Sequence, residues 1–448
     1  MNINMFMTEE EKKKVSVLLV TLIRDGMDED EAMAGIDELR LLCETALEGE
    51  CGTAEFFILT QNKNSPDAAT FIGSGKVLEA AKLCADNGIS LVVFDTELSP
   101  SQIRNNEELI SSFSKNNSDV RVIDRTMLIL DIFAKHAVTG EGKLQVEIAQ
   151  LKYTAPRLTG KGIELSRQGG TSGAVGARGP GETKLETDRR HIKRRIEALE
   201  SQIADMEAAR KIKRSKRSGS GICNIAIAGY TNAGKSTLLN YLTNAGILAE
   251  NKLFATLDPT TRRLSLPSGK EVLLTDTVGF INNLPHRLVE AFKSTLDEVR
   301  YADIILTVAD ASDTDTEKKL AVTQSIINEL DAGGKPQIRV YNKCDGLDFL
   351  PFGGDEERLA ELSAVCISAK TGEGVDKLLE MLEETVNSLT KEMKFLFPFD
   401  MQNAVNTLYR RASVLNVEYT DKGTEVTALV DGELAGKFAE YEMKDEEK

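Results

Sequence analysis

The chain has 448 residues, and at about 150 residues per domain this length predicts about three domains. Its hydrophobic fraction of 41% and charged fraction of 28% are those of globular proteins and exclude a disordered or fibrous chain. No stretch reaches the roughly 18 consecutive apolar residues of a membrane-spanning helix, and the short apolar run at 15–23 indicates a strand rather than a signal peptide.

Cysteine and histidine usage argues against disulfide and metal sites. The six cysteines form no CxxC pair and show no regular spacing, which indicates reduced thiols in a cytoplasmic protein. The three histidines, His136, His191 and His286, lie far apart and show no HExxH spacing. We therefore expect neither a zinc site nor a Ser-His-Asp triad.

Residues 1–137 alternate between strand and helix patterns, which predicts a small parallel α/β domain. The stretch Gly73-Ser74-Gly75-Lys76 opens one of the helices. Since it lacks the GxxxxGK spacing, it indicates a turn and a helix start rather than a second nucleotide site. The predicted strands cover residues 15–23, 56–60, 91–94 and 120–123, and the predicted helices cover residues 29–47 and 76–87.

Residues 138–220 predict an antiparallel helical hairpin. Apolar residues at heptad spacing lie on both sides of a glycine-rich loop, GGTSGAVGARGPGE at 169–182, which would form the tip. Glycine backbone can approach phosphate closely, and Arg167 and Arg178 can bind it as bidentate donors. The alternative is a disordered linker. The spaced apolar residues are Leu144, Ile148, Leu151, Ala155 and Leu158 before the loop, and Leu185, Ile192, Ile196, Leu199, Ile203 and Met206 after it.

Positive charge is concentrated in this hairpin region. Residues 152–217 hold 17 Lys or Arg and 8 Asp or Glu, a net of +9, whereas the whole chain has a net charge of −16. This asymmetry suggests a basic element that faces an anionic partner; the alternative is an ordinary solvated helix surface. The run KIKRSKRSGSG at 211–221 then indicates a domain boundary.

The next predicted domain, residues 221–389, begins with a phosphate-binding motif. The apolar strand at 224–228 leads into Gly229-Tyr230-Thr231-Asn232-Ala233-Gly234-Lys235-Ser236 and then a helix, which is GxxxxGK[ST] in its required strand–loop–helix context. Backbone N–H groups of the loop would surround the phosphates, Lys235 would supply positive charge, and Ser236 would present a hydroxyl to Mg²⁺. The motif by itself predicts a nucleoside triphosphate site.

Three later motifs follow predicted strands and specify the base. In the DxxG motif Asp276-Thr277-Val278-Gly279, Asp276 would hold the Mg²⁺ water shell and the Gly279 N–H would sense the γ-phosphate. In the NKxD motif Asn342-Lys343-Cys344-Asp345, Asp345 can accept both N1–H and the 2-amino group of guanine, a donor pair that adenine lacks. Ile367-Ser368-Ala369-Lys370 would place backbone N–H groups near the base oxygen. Because α/β sheets bind ligands at the carboxyl ends of their strands, the four motifs together predict a GTP site.

Residues 254–262, FATLDPTTR, lie between the first two motifs and predict a switch segment. Thr256 is the predicted γ-phosphate-dependent Mg²⁺ ligand, with Thr260 and Thr261 as alternatives. Phe280 follows the DxxG motif at a point where other GTPases place a water-orienting Gln or His. Since Phe280 cannot polarise water, we expect slow intrinsic hydrolysis and completion of the site by a partner or another local group. A simpler role, packing a mobile switch, is compatible with this.

The candidate site residues follow from these motifs. The catalytic set is Lys235, Thr256 and Gly279, and the metal set is Ser236 and Thr256, with Asp276 acting through water. The nucleotide-binding set is Gly229, Tyr230, Thr231, Asn232, Ala233, Gly234, Lys235, Ser236, Thr237, Phe254, Ala255, Thr256, Leu257, Asp258, Asp276, Thr277, Val278, Gly279, Asn342, Lys343, Asp345, Ser368, Ala369 and Lys370.

Residues 390–448 predict a small α+β module. An amphipathic helix at 402–411 precedes two strands around the Asp421-Lys422-Gly423 turn, and a final helix follows. The predicted fold class is thus multidomain α/β, with a Ras-like P-loop domain between a small parallel α/β domain carrying a helical hairpin and a C-terminal α+β module.

With these motifs, nearly all of the chain resembles the HflX family of P-loop GTPases, in the Obg–HflX group of the TRAFAC class. The glycine-rich loop is the most discriminating element, because a generic Ras-like domain has nothing like it, and Phe280 also fits the family pattern. The resemblance is carried by FIGSGK (71–76), DRTMLILDIFA (124–134), GKLQVEIAQLKY (142–153), GGTSGAVGARGPGE (169–182), GYTNAGKS (229–236), FATLDPTTR (254–262) and DTVGF (276–280).

The resemblance implies a cytoplasmic bacterial GTPase that uses GTP with Mg²⁺ and binds the large ribosomal subunit and its RNA. Separately, we expect a monomer without a membrane span. The resemblance also implies that the N-terminal domain and hairpin reach into ribosomal RNA, that ribosome binding stimulates hydrolysis, and that the protein dissociates or rescues ribosomes under stress. Two alternatives stay open: a GTP-gated assembly placeholder that does not split ribosomes, and a nucleotide sensor that uses the hairpin for protein contacts. A weak second nucleotide site in the N-terminal domain also stays open.

Overall fold

The computed structural model describes residues 14–48, 53–113, 120–159, 180–218, 222–243, 253–254, 259–282, 293–430 and 432–443. The chain divides into two compact units. The first comprises Met1–Ala204, Lys252–Leu257 and Asn283–Lys293, and the second comprises Asp205–Asn251, Asp258–Asn282 and Ser294–Lys448. Within the described ranges, no helix is both long and apolar enough to cross a membrane. The finer division at residues 137, 220 and 389 stays a prediction.

The first unit is built on a four-stranded parallel sheet in the order β2-β1-β3-β4, as the alternating pattern predicts. Val17, Leu18 and Leu19 of the central strand β1 are fully buried, because helices cover both faces of the sheet. Both predicted helices are confirmed, and the sequence pattern predicts neither α3 nor α4. The elements are β1 (Lys14–Ile23), α1 (Glu29–Leu47), β2 (Thr53–Asn62), α2 (Ser74–Asn87), β3 (Leu91–Phe94), α3 (Pro100–Phe113), β4 (Arg121–Asp124) and α4 (Arg125–His136).

Asp124 joins this sheet to the helices that follow it. Its carboxylate accepts a 2.9 Å hydrogen bond from the Met127 N–H and caps α4, and it also accepts a 2.5 Å bond from the Tyr153 hydroxyl. Tyr153 lies near the end of α5 (Gly140–Thr154), which a 3₁₀ turn, Ala155–Thr159, extends. The packing of α5 against the sheet therefore depends on a buried polar contact.

The two predicted hairpin arms are helical, α5 and the long α6 (Pro180–Ser218). Ion pairs join them from Arg195 Nε to Glu147 Oε1 and from Lys152 Nζ to Glu200 Oε1, both at 2.7 Å. In both pairs the α6 residue lies 48 positions after its α5 partner, as in two helices that run in the same direction. An antiparallel pair would join later residues of one arm to earlier residues of the other, so these contacts do not support the predicted antiparallel arrangement. The chain between the arms, 160–179, lies outside the described residues. The predicted apolar seam of α5 is wrong in part, because the buried face of the helix also includes residues between the predicted positions. Val146, Ile148, Ala149 and Tyr153 are buried, whereas Leu144 and Leu151 are half-buried.

The second unit contains a six-stranded sheet in the order β10-β9-β8-β5-β7-β6. All neighbouring strands are parallel except β6, which pairs antiparallel with β7 at the edge. The strands β5 and β8 are buried along nearly their whole length, as expected for a sheet covered on both faces. The elements are β5 (Asn224–Gly229), α7 (Lys235–Thr243), β6 (Thr260–Ser265), β7 (Glu271–Asp276), α8 (Lys293–Tyr301), β8 (Ile304–Asp310), α9 (Thr316–Glu329), β9 (Gln337–Asn342), α10 (Glu356–Glu361), β10 (Ala364–Cys366) and α11 (Val375–Ser388).

The C-terminal part of this unit is a three-stranded antiparallel sheet in the order β11-β13-β12. The predicted amphipathic helix, the two strands around the turn at 421–423 and the final helix are confirmed. The first strand is additional to the prediction. The elements are β11 (Lys391–Phe397), α12 (Gln402–Arg411), β12 (Ser413–Thr420), β13 (Gly423–Val430) and α13 (Gly432–Lys437).

Candidate functional site

The phosphate-binding motif forms the turn between β5 and α7, and two of its glycines are required by geometry. Gly229 has φ +154°, and a Cβ at this position would lie 2.2 Å from the carbonyl oxygen of Val308. Gly234 has φ +92°, and its Cβ would lie 2.1 Å from Asn342 Nδ2. Other residues would clash there and would strain the backbone, so the loop keeps its shape only with glycine.

Lys235 is the first residue of α7, and its side chain is buried inside the loop. Its ammonium group donates a 2.8 Å hydrogen bond to the carbonyl oxygen of Tyr230. Burial lowers the pKa of Lys235 to about 8, against the opposing effect of the nearby Asp276 carboxylate. The loop thus holds a cation that lacks full solvation and that an anionic phosphate would stabilise.

Ser236 and Asp276 bring two oxygen donors together beside this cation. The Ser236 hydroxyl donates a 2.6 Å hydrogen bond to Asp276 Oδ2, and Asp276 is fully buried at the carboxyl end of β7. A hydroxyl and a carboxylate are ligands of the kind that Mg²⁺ prefers. The predicted metal residues that the structure describes therefore fit this ion, with Asp276 placed beside Ser236.

The DxxG motif lies directly against the phosphate loop. The Phe280 N–H donates to the Gly229 carbonyl oxygen at 3.0 Å, and the Thr231 N–H donates to the Phe280 carbonyl oxygen at 2.7 Å. A Cβ on Gly279 would lie 2.7 Å from Thr231 Cγ2 and 2.9 Å from Lys235 Nζ. Phe280 itself is 1% exposed. The Phe280 side chain is thus packed inside the protein while its backbone pairs with the loop.

Asn342 connects the base-specifying motif to the phosphate loop. Its Nδ2 donates a 2.8 Å hydrogen bond to the Ala233 carbonyl oxygen, and its Oδ1 accepts a 2.9 Å bond from the Ala369 N–H. Three of the four predicted motifs therefore meet at one buried amide. The Ala369 N–H, predicted to face the base, is engaged by Asn342 in this structure.

Asp345 is positioned by the last motif. Ser368 is fully buried, and its hydroxyl donates a 2.7 Å hydrogen bond to Asp345 Oδ1. This bond lowers the pKa of Asp345, so the group stays an ionised acceptor. Lys343 has φ +66° and forms a 2.7 Å ion pair with Asp310.

Asp310, the partner of Lys343, belongs to none of the predicted motifs. Its position in the sequence could have identified it, because Asp310 is the last residue of a buried strand and lies at the sheet edge where the motifs cluster.

The switch segment is described only in part. Ala255, Thr256, Leu257 and Asp258 lie outside the described residues, and Phe254 is 2% exposed. The ring of Phe254 packs edge-to-face on Phe133 of α4, with 4.6 Å between ring centroids. Of the alternatives to Thr256, Thr260 and Thr261 both lie in β6, where the Thr261 hydroxyl is 2.9 Å from that of Thr275. These sheet positions do not favour either as the metal ligand.

The remaining predicted residues lie around the same loop or outside the described ranges. The Tyr230 hydroxyl accepts a 2.6 Å hydrogen bond from the Asn282 N–H, and Thr277 Oγ1 donates to the Ile227 carbonyl oxygen at 2.7 Å, a structural role. Asn232 has φ +61°, Ala233 and Val278 are buried, Thr237 is half-buried and Lys370 is exposed. On the predicted arm, Arg167 and Arg178 lie outside the described residues, whereas Arg189 and Arg190 are exposed on α6.

Three sequence families match successive parts of the chain. Residues 33–134 match "GTP-binding GTPase N-terminal", residues 136–217 match "GTP-binding GTPase Middle Region", and residues 224–343 match "50S ribosome-binding GTPase". The matches follow the order of the sheet, the helical arms and the phosphate-loop domain.

Two relatives match over nearly their whole length. The GTPase HflX of Caldanaerobacter subterraneus subsp. tengcongensis is 45% identical over 435 residues, 97% of this chain and 95% of that protein. The GTPase HflX of Escherichia coli (strain K12) is 39% identical over 411 residues, 91% of this chain and 92% of that protein. A GTP-binding protein from Sulfolobus solfataricus, solved in complex with GDP, is 23% identical with a TM-score of 0.42, and the match covers 83% of this chain and 99% of that one. On the strength of the two full-length relatives, the chain belongs to the HflX family of GTPases.

Proposed function

We propose that this protein is a cytoplasmic GTP hydrolase that binds the large ribosomal subunit and dissociates or rescues ribosomes under stress. The observation that carries the nucleotide part is the Asn342 bridge, with hydrogen bonds of 2.8 Å to the phosphate loop and 2.9 Å to the Ser368–Ala369 turn. The ribosomal part is supported by the family "50S ribosome-binding GTPase" that matches residues 224–343.

The base would lie against Asp345. Its ionised carboxylate would accept N1–H and the 2-amino group of guanine, while Ser368 holds the carboxylate in place. Adenine would leave this carboxylate without the two donors, at a cost of about 1.5–3 kcal/mol for a lost hydrogen bond to a charged group. This difference selects GTP over ATP.

The triphosphate would lie in the loop around Lys235. The backbone N–H groups of residues 231–236 and the N-terminus of α7 would bind the phosphate oxygens. The Lys235 ammonium group donates to the Tyr230 carbonyl oxygen. With nucleotide bound, it would contact the β- and γ-phosphates, either in place of this oxygen or in addition to it. Ser236 would hold Mg²⁺ directly and Asp276 through water, with Thr256 as the switch ligand. The chemistry that Mg²⁺ supplies is neutralisation of the charge on the transferring phosphoryl group.

Hydrolysis would be slow in the isolated protein. Phe280 occupies the position of a water-orienting residue, its ring is buried, and its backbone is paired with Gly229 and Thr231. None of these groups can polarise an attacking water in this arrangement. We therefore propose that a bound partner changes the DxxG segment or supplies the missing polar group.

The ribosomal partner would be recognised through phosphate. The basic segment at 152–217 contains 17 Lys or Arg, and the described Arg189 and Arg190 are exposed on α6. Contacts with RNA phosphates release counterions, so affinity should fall steeply as salt rises. The glycine-rich tip at 169–182 would approach RNA closely, because glycine backbone has no side chain to hold it away.

The test is GTP turnover with and without purified large ribosomal subunits, at low and at moderate salt. We expect strong stimulation that salt weakens. A Lys235→Ala variant should lack turnover under all conditions. Absence of stimulation would leave the GTP site standing and would overturn the proposed partner.

A second experiment separates ribosome dissociation from a placeholder role. Intact ribosomes are incubated with the protein and GTP, and the subunits are separated by sedimentation. Dissociation should require GTP and should be lost in Lys235→Ala. Ribosomes that bind the protein and stay joined would favour the assembly placeholder.

A further inference from the structure

Two cysteines lie side by side at the base-binding end of the sheet. Cys344 is the third residue of the NKxD motif, and its N–H donates a 3.1 Å hydrogen bond to the Ile367 carbonyl oxygen. Cys366 ends β10 and is the register partner of Tyr341 in β9. Cys344 Sγ lies 3.3 Å from the carbonyl oxygen of that same Tyr341. Both cysteines therefore lie beside the same residue of β9.

The two thiols also interact with each other. Interaction with the Cys366 thiol raises the pKa of Cys344, and interaction with the Cys344 thiol lowers the pKa of Cys366. Burial instead raises the pKa of Cys43, Cys84 and Cys223. Among the cysteines that the structure describes, Cys366 thus has the greatest thiolate character, and a thiolate is the reactive form.

The two cysteines lie at partly exposed positions beside a cavity. Both cysteines are partly exposed, whereas Cys43 and Cys84 are buried. Cys366 packs in a cluster with Phe352 and Leu362. These two residues also line an open cavity of about 530 Å³, together with Glu317, Arg339, Asp355, Glu357, Arg358 and Glu361.

We propose that Cys344 and Cys366 form a reversible disulfide, with a peroxide as oxidant, and that this bond weakens guanine-nucleotide binding. The inference rests on the proposed guanine contact of Asp345. Cys344 is the immediate neighbour of Asp345, and Cys366 lies two residues before Ser368, the hydroxyl that holds the Asp345 carboxylate at 2.7 Å. Formation of the disulfide would therefore displace both the donor, Ser368, and the acceptor, Asp345, of that hydrogen bond.

The reaction balances with hydrogen peroxide. The Cys366 thiolate attacks one peroxide oxygen, the O–O bond breaks, and the departing hydroxide takes a proton to become water; Cys366 is left as a sulfenic acid. The Cys344 sulfur then attacks the Cys366 sulfur, and the S–O bond breaks with loss of a second water. In total, two thiols lose two electrons and two protons, and one peroxide is reduced to two waters.

The bond would distort the base site for a geometric reason. A disulfide brings two sulfur atoms to about 2.05 Å, much closer than two unbonded thiols can approach. The backbone of Cys366 is held in the sheet, so the NKxD loop must move toward β10. Asp345 moves with it, and the loss of its contact with guanine predicts a roughly ten- to hundredfold weaker affinity for GDP.

The experiment uses the full-length protein before and after treatment with hydrogen peroxide. Peptide mass mapping identifies the disulfide, and a fluorescent GDP analogue measures affinity. We expect a cross-link between the peptides of Cys344 and Cys366, a roughly ten- to hundredfold loss of affinity, and recovery on reduction with dithiothreitol. Cys366→Ser and Cys344→Ser should each keep their own reduced-state affinity after peroxide, whereas the matched control Cys223→Ser should respond like the wild type.

The outcomes separate the inference from the function on which it rests. Absence of the cross-link, or a cross-link that leaves GDP affinity unchanged, overturns the disulfide proposal alone. A loss of affinity that persists in Cys366→Ser also overturns it, since another group would then be the target. Failure of the reduced wild-type protein to bind GDP overturns the proposed guanine site and the inference with it.

Discussion

The hydroxyl of Ser236 donates a 2.6 Å hydrogen bond to the fully buried carboxylate of Asp276, 40 residues further along the chain. This contact joins the start of α7 to the end of β7. It places both proposed Mg²⁺-binding groups together. The site is therefore preorganised by a hydrogen bond that the metal would replace or share.

Ser236→Ala tests this relationship. The change removes one donor to a buried carboxylate, so the free energy of unfolding of the nucleotide-free protein should fall by about 1–3 kcal/mol. GTP turnover should fall as well, because a direct metal ligand is lost. Denaturant unfolding and Mg²⁺ titration of turnover measure the two effects. Ser388→Ala, at the exposed end of α11, is the control and should change neither. Normal Mg²⁺ dependence in Ser236→Ala would contradict the assignment.

Gly279→Ala tests the contact between the DxxG segment and the phosphate loop. The new Cβ would lie 2.7 Å from Thr231 Cγ2 and 2.9 Å from Lys235 Nζ, so the segment must move away from the loop. We expect a loss of about 1–3 kcal/mol in unfolding free energy, as for other overpacked sites, together with a drop in GTP turnover. Gly334→Ala is the matched control, since a Cβ there meets no atom within 4 Å. Equal turnover in the two variants would rule out the close contact.

Asp345→Asn tests base recognition. The amide presents a donor where the carboxylate accepted, so GTP affinity should fall roughly ten- to hundredfold through the lost hydrogen bonds. Xanthosine triphosphate carries an oxygen in place of the 2-amino group, and its affinity should rise in the same variant. Competition binding with the two nucleotides measures the exchange of preference. A variant that still prefers GTP would show that Asp345 does not contact the base edge.

Lys235 predicts a pH dependence of nucleotide binding. Its pKa is about 8 in the nucleotide-free protein, and bound phosphate favours the protonated form. Above pH 8 binding must therefore take up a proton, and the affinity for GDP should fall by up to about tenfold per pH unit. Equilibrium titrations across this range measure the slope. Lys235→Arg should flatten it, because arginine does not titrate there.

The titration of Lys235 affects protein stability in the opposite direction from its effect on nucleotide affinity. Its folded-state pKa of about 8 lies below its ordinary value of 10.5. Between these values the unfolded chain binds more protons than the folded one, so the contribution of Lys235 to the stability of the nucleotide-free protein increases as pH rises. Denaturant unfolding of wild type and Lys235→Met between pH 8 and 10.5 measures this effect. The free energy of unfolding of the wild type, relative to that of Lys235→Met, should increase with pH.

A double-mutant cycle tests the contact between Phe254 of the switch segment and Phe133 of α4. The rings are 4.6 Å apart and edge-to-face, a geometry that contributes about 0.5–1.5 kcal/mol beyond buried area. Phe133→Leu, Phe254→Leu and the double variant should show a coupling energy of that size in unfolding experiments. Additive effects would mean that the two rings do not interact in solution.

Several elements follow from local patterns and could be predicted. The helix Glu29–Leu47 follows from its apolar spacing and the Asp28 cap, and the four strands of the first sheet follow from short apolar runs between turn signals. The helix Arg125–His136 could not be predicted in the same way, because it is apolar on almost every face. Its periodicity is hidden, since neighbours in the fold cover all of its sides.

By itself, the sequence determined the GTP-type motifs and their order, because each depends on a few residues at fixed local spacing. It also identified the family, since the glycine-rich loop and the DTVGF segment combine in one chain. Only the tertiary structure decided which of these groups meet. The Asn342 bridge, the Ser236–Asp276 bond, the Lys343–Asp310 pair and the adjacent thiols of Cys344 and Cys366 all join distant or differently placed segments. Such contacts depend on strand order and on which side chains face one another across the sheet, and no local spacing in the chain records that arrangement.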